Sequence, residues 1–393
     1  MIAAPAEEAE IASVVAEAAA AREPLVIVGR DTKRAMLRPV QAARTLSVRN
    51  HEGVTLYSPK ELVFAARAGT TLEAIEAAVA AEGQHLIAEP PDFSTLLGTK
   101  GSQTLGGVVA ANLSGPRRIA WGAMRDHVLG VRAVNGTGEV IRSGGRVLKN
   151  VTGLDLCKLF TGSHGTLAVL TEITLKVLPV PERTGTLVLP GVDAEAGVVA
   201  LSAALGSPYG VSGAAWLPAG AASLVPALAG FAGPVALVRV EDFEASVPYR
   251  LGRLRDELGS EMLGDEPSRA VWRAVRDVGP LPANPSDAIW RVSVRPSLGP
   301  RVLRALGGRG FLDWGGGLVW VAGPATAEAH AAVAEAARLA GGTWMLLRAP
   351  EPLRAMVDVV PPEPPPLARI TRRVKAALDP HGILNPGRIY AGV

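Results

Sequence analysis

Apolar residues return at helical spacing over residues 7–21, where Ile11, Val14 and Val15 share one face, so an amphipathic helix is expected near the start. Pro24 stops it. The unbroken apolar run Leu25-Val-Ile-Val28 predicts a short buried strand leading into Gly29-Arg-Asp-Thr-Lys33. Residues 54–57 and 62–69 alternate as half-buried strands do. Thr70-Thr-Leu-Glu73 then reads as a capping box that opens a helix to Ala81, with Gly83 at its end. The pair Pro90-Pro91, inside Glu89-Pro-Pro-Asp-Phe93, keeps the chain extended. Thr104-Leu-Gly-Gly107 enters a short apolar helix. Free N–H groups at such an entry suit an anion, so Gly106 and Gly107 are expected to face a ligand. Residues 127–134 and 139–142 flank Asn135-Gly-Thr-Gly138, a strong hairpin signal, and residues 169–178 form a strand.

Pro179 and Pro181 mark a boundary. Beyond it, residues 186–189, 235–240, 288–294 and 318–322 read as strands, and 194–204, 249–257 and 325–340 as helices. That alternation suits a compact α+β unit. Five of the seven tryptophans fall between Trp216 and Trp320, where core packing is the expected role. Residues 361–366 read as a stiff proline spacer and 367–378 as an amphipathic helix, with Arg369-Ile-Thr-Arg-Arg-Val-Lys375 as its solvated face.

The length of 393 residues suggests two or three domains at about 150 residues each. A hydrophobic content of 48% is ample for a packed core. The formal net charge is only +3 and both signs are interspersed, which argues against a nucleic-acid face. The single cysteine, Cys157, can form neither an internal disulfide nor an iron–sulfur cluster alone, and is expected to be buried. None of the six histidines stands at a metal-ligand spacing, so no metal is expected. His51 reads as a turn residue and His127 as a structural one. The start has no basic n-region and no apolar run is long enough for a bilayer, so a soluble, cytoplasmic protein is expected.

Several segments in fixed order carry a resemblance. They are Thr104-Leu-Gly-Gly107, Asn112-Leu-Ser-Gly-Pro-Arg-Arg118, Arg125-Asp-His-Val-Leu-Gly130 and Gly144-Gly-Arg-Val-Leu-Lys-Asn150. Lys149-Asn-Val-Thr-Gly153, Gly165-Thr-Leu leading to Thr171-Glu172, and the tail Asp379-Pro-His-Gly-Ile-Leu-Asn-Pro-Gly387 complete the set. The chain resembles the FAD-binding domain shared by vanillyl-alcohol oxidase, p-cresol methylhydroxylase and D-lactate dehydrogenase. More narrowly, it is similar to the smaller FAD-binding subunit of bacterial glycolate oxidase. The resemblance implies an α+β fold in which residues 1–180, completed by 351–393, form a two-subdomain FAD-binding domain, and 181–350 form an α+β cap.

It further implies FAD, held non-covalently because the loop after Val28 lacks a His or Cys. The implied cofactor contacts are Gly29, Arg30, Thr32, Lys33, Pro91, Thr104, Gly106, Gly107, Asn112, Ser114, Gly115, Gly165, Thr166, Leu167 and Asn385. Asp31 departs from the family's glycine-rich loop. It would repel a phosphate unless it turned away or were offset by Arg30 or Lys33. The implied reaction is oxidation of glycolate or D-lactate to the 2-oxo acid. Arg118 or Arg125 would hold the carboxylate and His164 would be the proton acceptor. The implied partners are a larger FAD-binding subunit and an iron–sulfur subunit, which would also place the chain at the periphery of the inner membrane. Relatives that bind the acid on a metal carry a His-rich segment, which is missing here. Two alternatives stay open: a structural subunit with weak or no FAD binding, and a self-sufficient FAD-linked oxidase.

Overall fold

The computed structural model describes residues 2–146 and 153–393. The motif stretches 147–150 and 149–152 therefore lie outside the described residues. Three sheets organise the chain. The smallest is parallel: Arg44–Ser47 lies between Ile2–Ala3 and Leu25–Val28. The first helix, Glu8–Ala21, precedes it and buries Ile11, Val15, Ala18 and Ala19.

The second sheet runs Val54–Ser58, Val63–Arg67, Val169–Pro179, Val128–Val134 and Val140–Gly144, all antiparallel neighbours. Gln84–Leu86 pairs with the far end of Val169–Pro179, which is why that central strand is eleven residues long. The hairpin at Asn135 forms as its sequence predicts. The Asn135 side-chain oxygen accepts from the Thr137 and Glu139 amides at 3.0 and 2.9 Å. The capping expectation at Thr70 shifts by one residue. Thr71 is the N-cap of Leu72–Ala80 and accepts from the Ala74 amide. Thr70 instead donates to the Arg67 carbonyl at 2.7 Å.

The third sheet has eight antiparallel strands, in the order Glu261–Leu263, Arg183–Pro190, Val235–Asp242, Val211–Leu217, Gly310–Asp313, Leu318–Gly323, Ala288–Ser293 and Thr343–Arg348. Helices Ala194–Gly206, Ser246–Leu258, Asp265–Arg276 and Ala327–Leu339 cover it. Four of its strands escape a hydropathy reading. Val211–Leu217 is rich in Ala and Gly, and Gly213 is needed because a Cβ there would meet the Trp272 ring at 2.9 Å. Glu261–Leu263 and Gly310–Asp313 are too short to show a period, and Thr343–Arg348 starts among glycines. Cys157 is buried and free.

Two expectations about the tail change. Pro365 does not prolong a spacer but begins the helix Pro365–Leu378, because a proline in the first turn loses no intrahelical bond. Lys375 is not on a solvated face. It is buried and donates to Asp379 at 2.7 Å, to the Thr166 carbonyl at 2.6 Å and to the Leu384 carbonyl at 2.9 Å. Asp379 in turn accepts from the amides of Ile383 and Leu384. This knot folds the tail back so that Leu384 bridges Leu25 in the smallest sheet. Among the described residues no helix is long and apolar enough to cross a membrane, and no group of three or more His, Cys, Asp or Glu could hold a metal.

Candidate functional site

Strand Leu25–Val28 ends at Gly29, and the loop behind it curls beneath the start of helix Leu105–Ala110. Only glycine fits at position 29, since a Cβ would collide with Thr104 Oγ1. The two segments wall a cavity of about 240 Å³, completed by the loop at His164 and Gly165 and by the returning tail. Of the residues singled out in the sequence, Gly29, Arg30, Thr32, Lys33, Thr104, Gly106, Gly107, Gly165, Asn385 and His164 line it.

Asn385 holds the walls together. Its Oδ1 accepts from the Ile27 amide at 2.8 Å, and its Nδ2 donates to the His164 carbonyl at 2.8 Å. Both ends of the amide are committed to backbone, so Asn385 shapes the cavity and offers no free side-chain donor. The expected free N–H groups at Gly106 and Gly107 are also taken. Gly106 donates to the Ala68 carbonyl at 2.8 Å, and Gly107 to Thr104 Oγ1 at 3.2 Å, because Thr104 caps this helix. What Gly107 contributes is space: a Cβ there would stand 3.7 Å from Lys33 Nζ.

Three largely buried cations line the cavity, together with the exposed Arg30, Arg34, Asp31 and Glu351. Lys33 donates to Gln103 Oε1 at 2.8 Å and Thr32 Oγ1 at 3.4 Å. Arg388 donates to the Arg38 and Lys33 carbonyls at 2.8 Å, and Arg354 to the Leu37 and Ala349 carbonyls at 2.8 Å. Among the described residues none of the three makes an ion pair. Burial pulls the Lys33 ammonium down to about 8, only partly offset by Asp92. Burial, with the like charge of Arg354, pulls Arg388 down to about 10. Burial also holds His164 at about 3, helped by Arg388 and Lys33, so its imidazole is neutral and weakly basic at physiological pH. A cavity with three desolvated and unpaired cations suits a multiply charged anion such as a diphosphate.

Asp31 lines the cavity too, and its charge acts on Arg388. It takes the left-handed conformation, φ +61°, that a glycine would hold more easily, and its carboxylate pairs with Arg34 at 2.7 Å. The offsetting cation is thus neither Arg30, which pairs with Glu52 at 3.2 Å, nor Lys33, which is engaged by Gln103.

The remaining sequence candidates lie elsewhere. Pro91 touches the cavity only indirectly, through Gln103, whose Nε2 donates to the Pro91 carbonyl at 2.9 Å. Asn112, Ser114 and Gly115 form the turn after the capped helix. Asn112 Oδ1 accepts from the Arg125 amide, Ser114 Oγ from the Met124 amide, and the Gly115 carbonyl from Trp314 Nε1 at 3.2 Å. Thr166 donates to the Ser163 carbonyl, and Leu167 packs half-buried against the core. Arg125 is exposed beside Asp126. Arg118 stacks on Trp314 at 4.7 Å. The three catalytic candidates do not converge: His164 is in the cavity, Arg118 at the junction with the large sheet, and Arg125 at the surface.

Two features went unseen in the sequence. Arg388 follows directly on Asn-Pro-Gly387 and was within reach of that motif, whereas Arg354 arrives from helix Glu351–Met356 with no local signal. The second feature is a buried ionic cluster. Arg239 grips Glu89 through two bonds of 2.9 and 3.0 Å, Arg117 grips Glu241 at 2.7 and 3.0 Å, and Arg239 Nε lies 3.2 Å from Glu241. Burial alone would raise the Glu241 carboxyl, but Arg239 and Arg117 together hold it well below the usual range. Its signal was a charged pair, Arg239 and Glu241, inside the apolar strand Val235–Asp242.

Residues 1–144 match the FAD binding domain family. The chain is 36% identical to the glycolate oxidase subunit GlcE of Escherichia coli (strain K12), over 96% of its own length and 95% of that protein's. The chain belongs to the family of GlcE-type glycolate oxidase subunits. It is also 40% identical to the glycolate oxidase subunit GlcD of Bacillus subtilis (strain 168), though over only 28% of this chain and 23% of that one. Its fold is that of alkyldihydroxyacetonephosphate synthase, with a TM-score of 0.71 at 16% identity over 98% of this chain and 75% of the other. The protein is accordingly an FAD-linked oxidoreductase of α+β fold, with the FAD-binding domain at its N-terminal side.

Proposed function

We propose that this chain is the FAD-binding subunit of a glycolate oxidase-like complex that oxidises a 2-hydroxy acid, glycolate or D-lactate, to the 2-oxo acid. Residues 1–180 with 351–393 form its FAD-binding unit and 181–350 its cap. The carrying observation is the cavity's set of unpaired cations. Lys33 and Arg388 would hold the FAD diphosphate, in the space that Gly29 and Gly107 keep open. Cations already stripped of water and held by carbonyls lose little freedom when an anion arrives, so their interaction with it is strong. FAD, once bound, supplies the hydride acceptor. The chain's own part is to hold the cofactor and exclude water from its charged end. Binding is non-covalent.

Electrons leave through a larger flavin subunit and an iron–sulfur subunit, since Cys157 is buried and no other cysteine exists. The complex is cytoplasmic and reaches the inner membrane only through partners. The structural-subunit alternative drew its support from Asp31, and the pairing of Asp31 with Arg34 weakens that support. Calorimetry with FAD on the wild type, Lys33→Met and Arg388→Met tests the reading. Each variant is expected to bind FAD at least about tenfold more weakly, as loss of a charge-assisted contact implies. Equal affinity in all three would overturn it.

A further inference from the structure

A second cationic site lies where the first half of the chain meets the large sheet. Trp314 follows strand Gly310–Asp313 in a left-handed conformation, φ +52°, which is strained for so large a side chain. Two contacts hold it there. The Asp313 carboxylate accepts from its amide at 2.7 Å, and the indole Nε1 donates to the Gly115 carbonyl at 3.2 Å. The fixed ring then carries two guanidinium groups. Arg118, from the helix Arg118–Trp121, stands 4.7 Å from the ring centroid, and Arg291, from strand Ala288–Ser293, stands 4.8 Å from it. Neither arginine's side chain makes an ion pair or donates a hydrogen bond among the described residues. Both are half-buried, and neither lines the cavity assigned to the diphosphate.

We propose that Arg118 and Arg291, displayed on Trp314, form the binding site for the carboxylate of the acid substrate, a subsite contributed by this chain without a metal. The proposal rests on the reading of the chain as a 2-hydroxy acid oxidase subunit. Two like charges brought together without a counter-ion repel each other, and a strained tryptophan keeps them together. Burial and the charge of Arg118 pull the Arg291 guanidinium down to about 10. Asp126 acts on Arg118 and Asp313 on Arg291, and neither acid forms an ion pair with them among the described residues. The Asp313 carboxyl faces the Trp314 amide, Arg239, Glu89 and Arg291, and burial pushes it up to about 7. A planar carboxylate matches the guanidinium fork, and neither fork is already engaged by a side-chain hydrogen bond among the described residues. The site uses one residue from each half of the molecule, so an acid bound there would sit between them.

The test is calorimetric titration of the FAD-loaded chain with glycolate. Wild type is expected to bind, and Arg118→Gln and Arg291→Gln each to lose about tenfold or more in affinity. Arg291→Lys should recover only part of the loss, because an ammonium lacks the planar fork. FAD affinity should be the same in all variants. If Arg291→Gln fails to fold, Arg118→Gln, on a short half-buried helix, carries the test alone. A wild-type chain that binds FAD but no glycolate, or variants that bind glycolate as wild type does, would overturn this site and leave the flavin reading standing. Glycolate binding that persists in a chain unable to bind FAD would sink the flavin reading instead.

Discussion

Lys33 shows how one side chain trades stability for binding. Its folded-state pKa of about 8 lies below the ordinary 10.5, so the folded protein disfavours its charge. That penalty is full below pH 8 and fades as the pH rises towards 10.5, where the unfolded chain also loses its proton. Lys33→Met should therefore raise the melting temperature of the FAD-free chain at pH 7, and the gain should disappear near pH 10.5. The wild type's FAD affinity should weaken as the pH climbs past about 8, because the free ammonium is then partly neutral. Thermal melts and calorimetry over that pH range check both expectations. Gly107 makes a complementary case. Its backbone is helical and a Cβ meets only Thr104 Oγ1 and Lys33 Nζ, at 3.2 and 3.7 Å, so a larger side chain enters the cavity and leaves the core alone. Gly107→Leu should cut FAD affinity at least about tenfold with little loss of stability, whereas an unchanged FAD isotherm would contradict the placement of the diphosphate.

Between elements, the cluster of Glu89, Arg117, Arg239 and Glu241 joins the segment after strand Gln84–Leu86 to strand Val235–Asp242. Removing one charge from such a buried set strands its partner, which costs about 3–5 kcal/mol. Glu241→Gln should lower unfolding stability by about that amount in urea melts, and by more than breaking an exposed pair such as Glu335 with Arg338. The Glu241 carboxyl is depressed in the folded state. Its stabilisation is thus present above the ordinary carboxylate range, near pH 4, and is lost as the pH falls through and below it. The wild-type advantage over Glu241→Gln should shrink in acid. These elements also mark how far local pattern reaches. Leu25–Val28, the Asn135 hairpin and Leu318–Gly323 were legible because hydropathy, glycine and asparagine all act within a few residues. Val211–Leu217 was not, because its Gly213 makes room for the Trp272 ring of a distant helix.

At the level of the whole molecule, the isolated chain should reduce a dye with glycolate or D-lactate only slowly, even with FAD added. His164 is held neutral with a pKa of about 3 and sits beside the cations of the cavity, which makes it a poor proton acceptor, and no cysteine set offers an electron outlet. Robust turnover in that dye assay, abolished by changing His164, would refute the multisubunit reading. Acid precipitation should release all flavin colour to the supernatant, and colour kept in the pellet would indicate a covalent bond. The family and the α+β class were readable from the chain alone, because glycine turns, caps and apolar periods are local and recur in a fixed order. The charge of the cavity was not. Asp31 stands in the loop as an apparent obstacle until Arg34 is seen to face it, Arg388 reaches the cavity because the knot at Lys375 and Asp379 folds the tail back onto strand Leu25–Val28, and Arg354 comes to it separately from helix Glu351–Met356. Arg118 and Arg291 likewise meet only on Trp314. Electrostatic partners are chosen by distance in space, which the order of residues along the chain does not record.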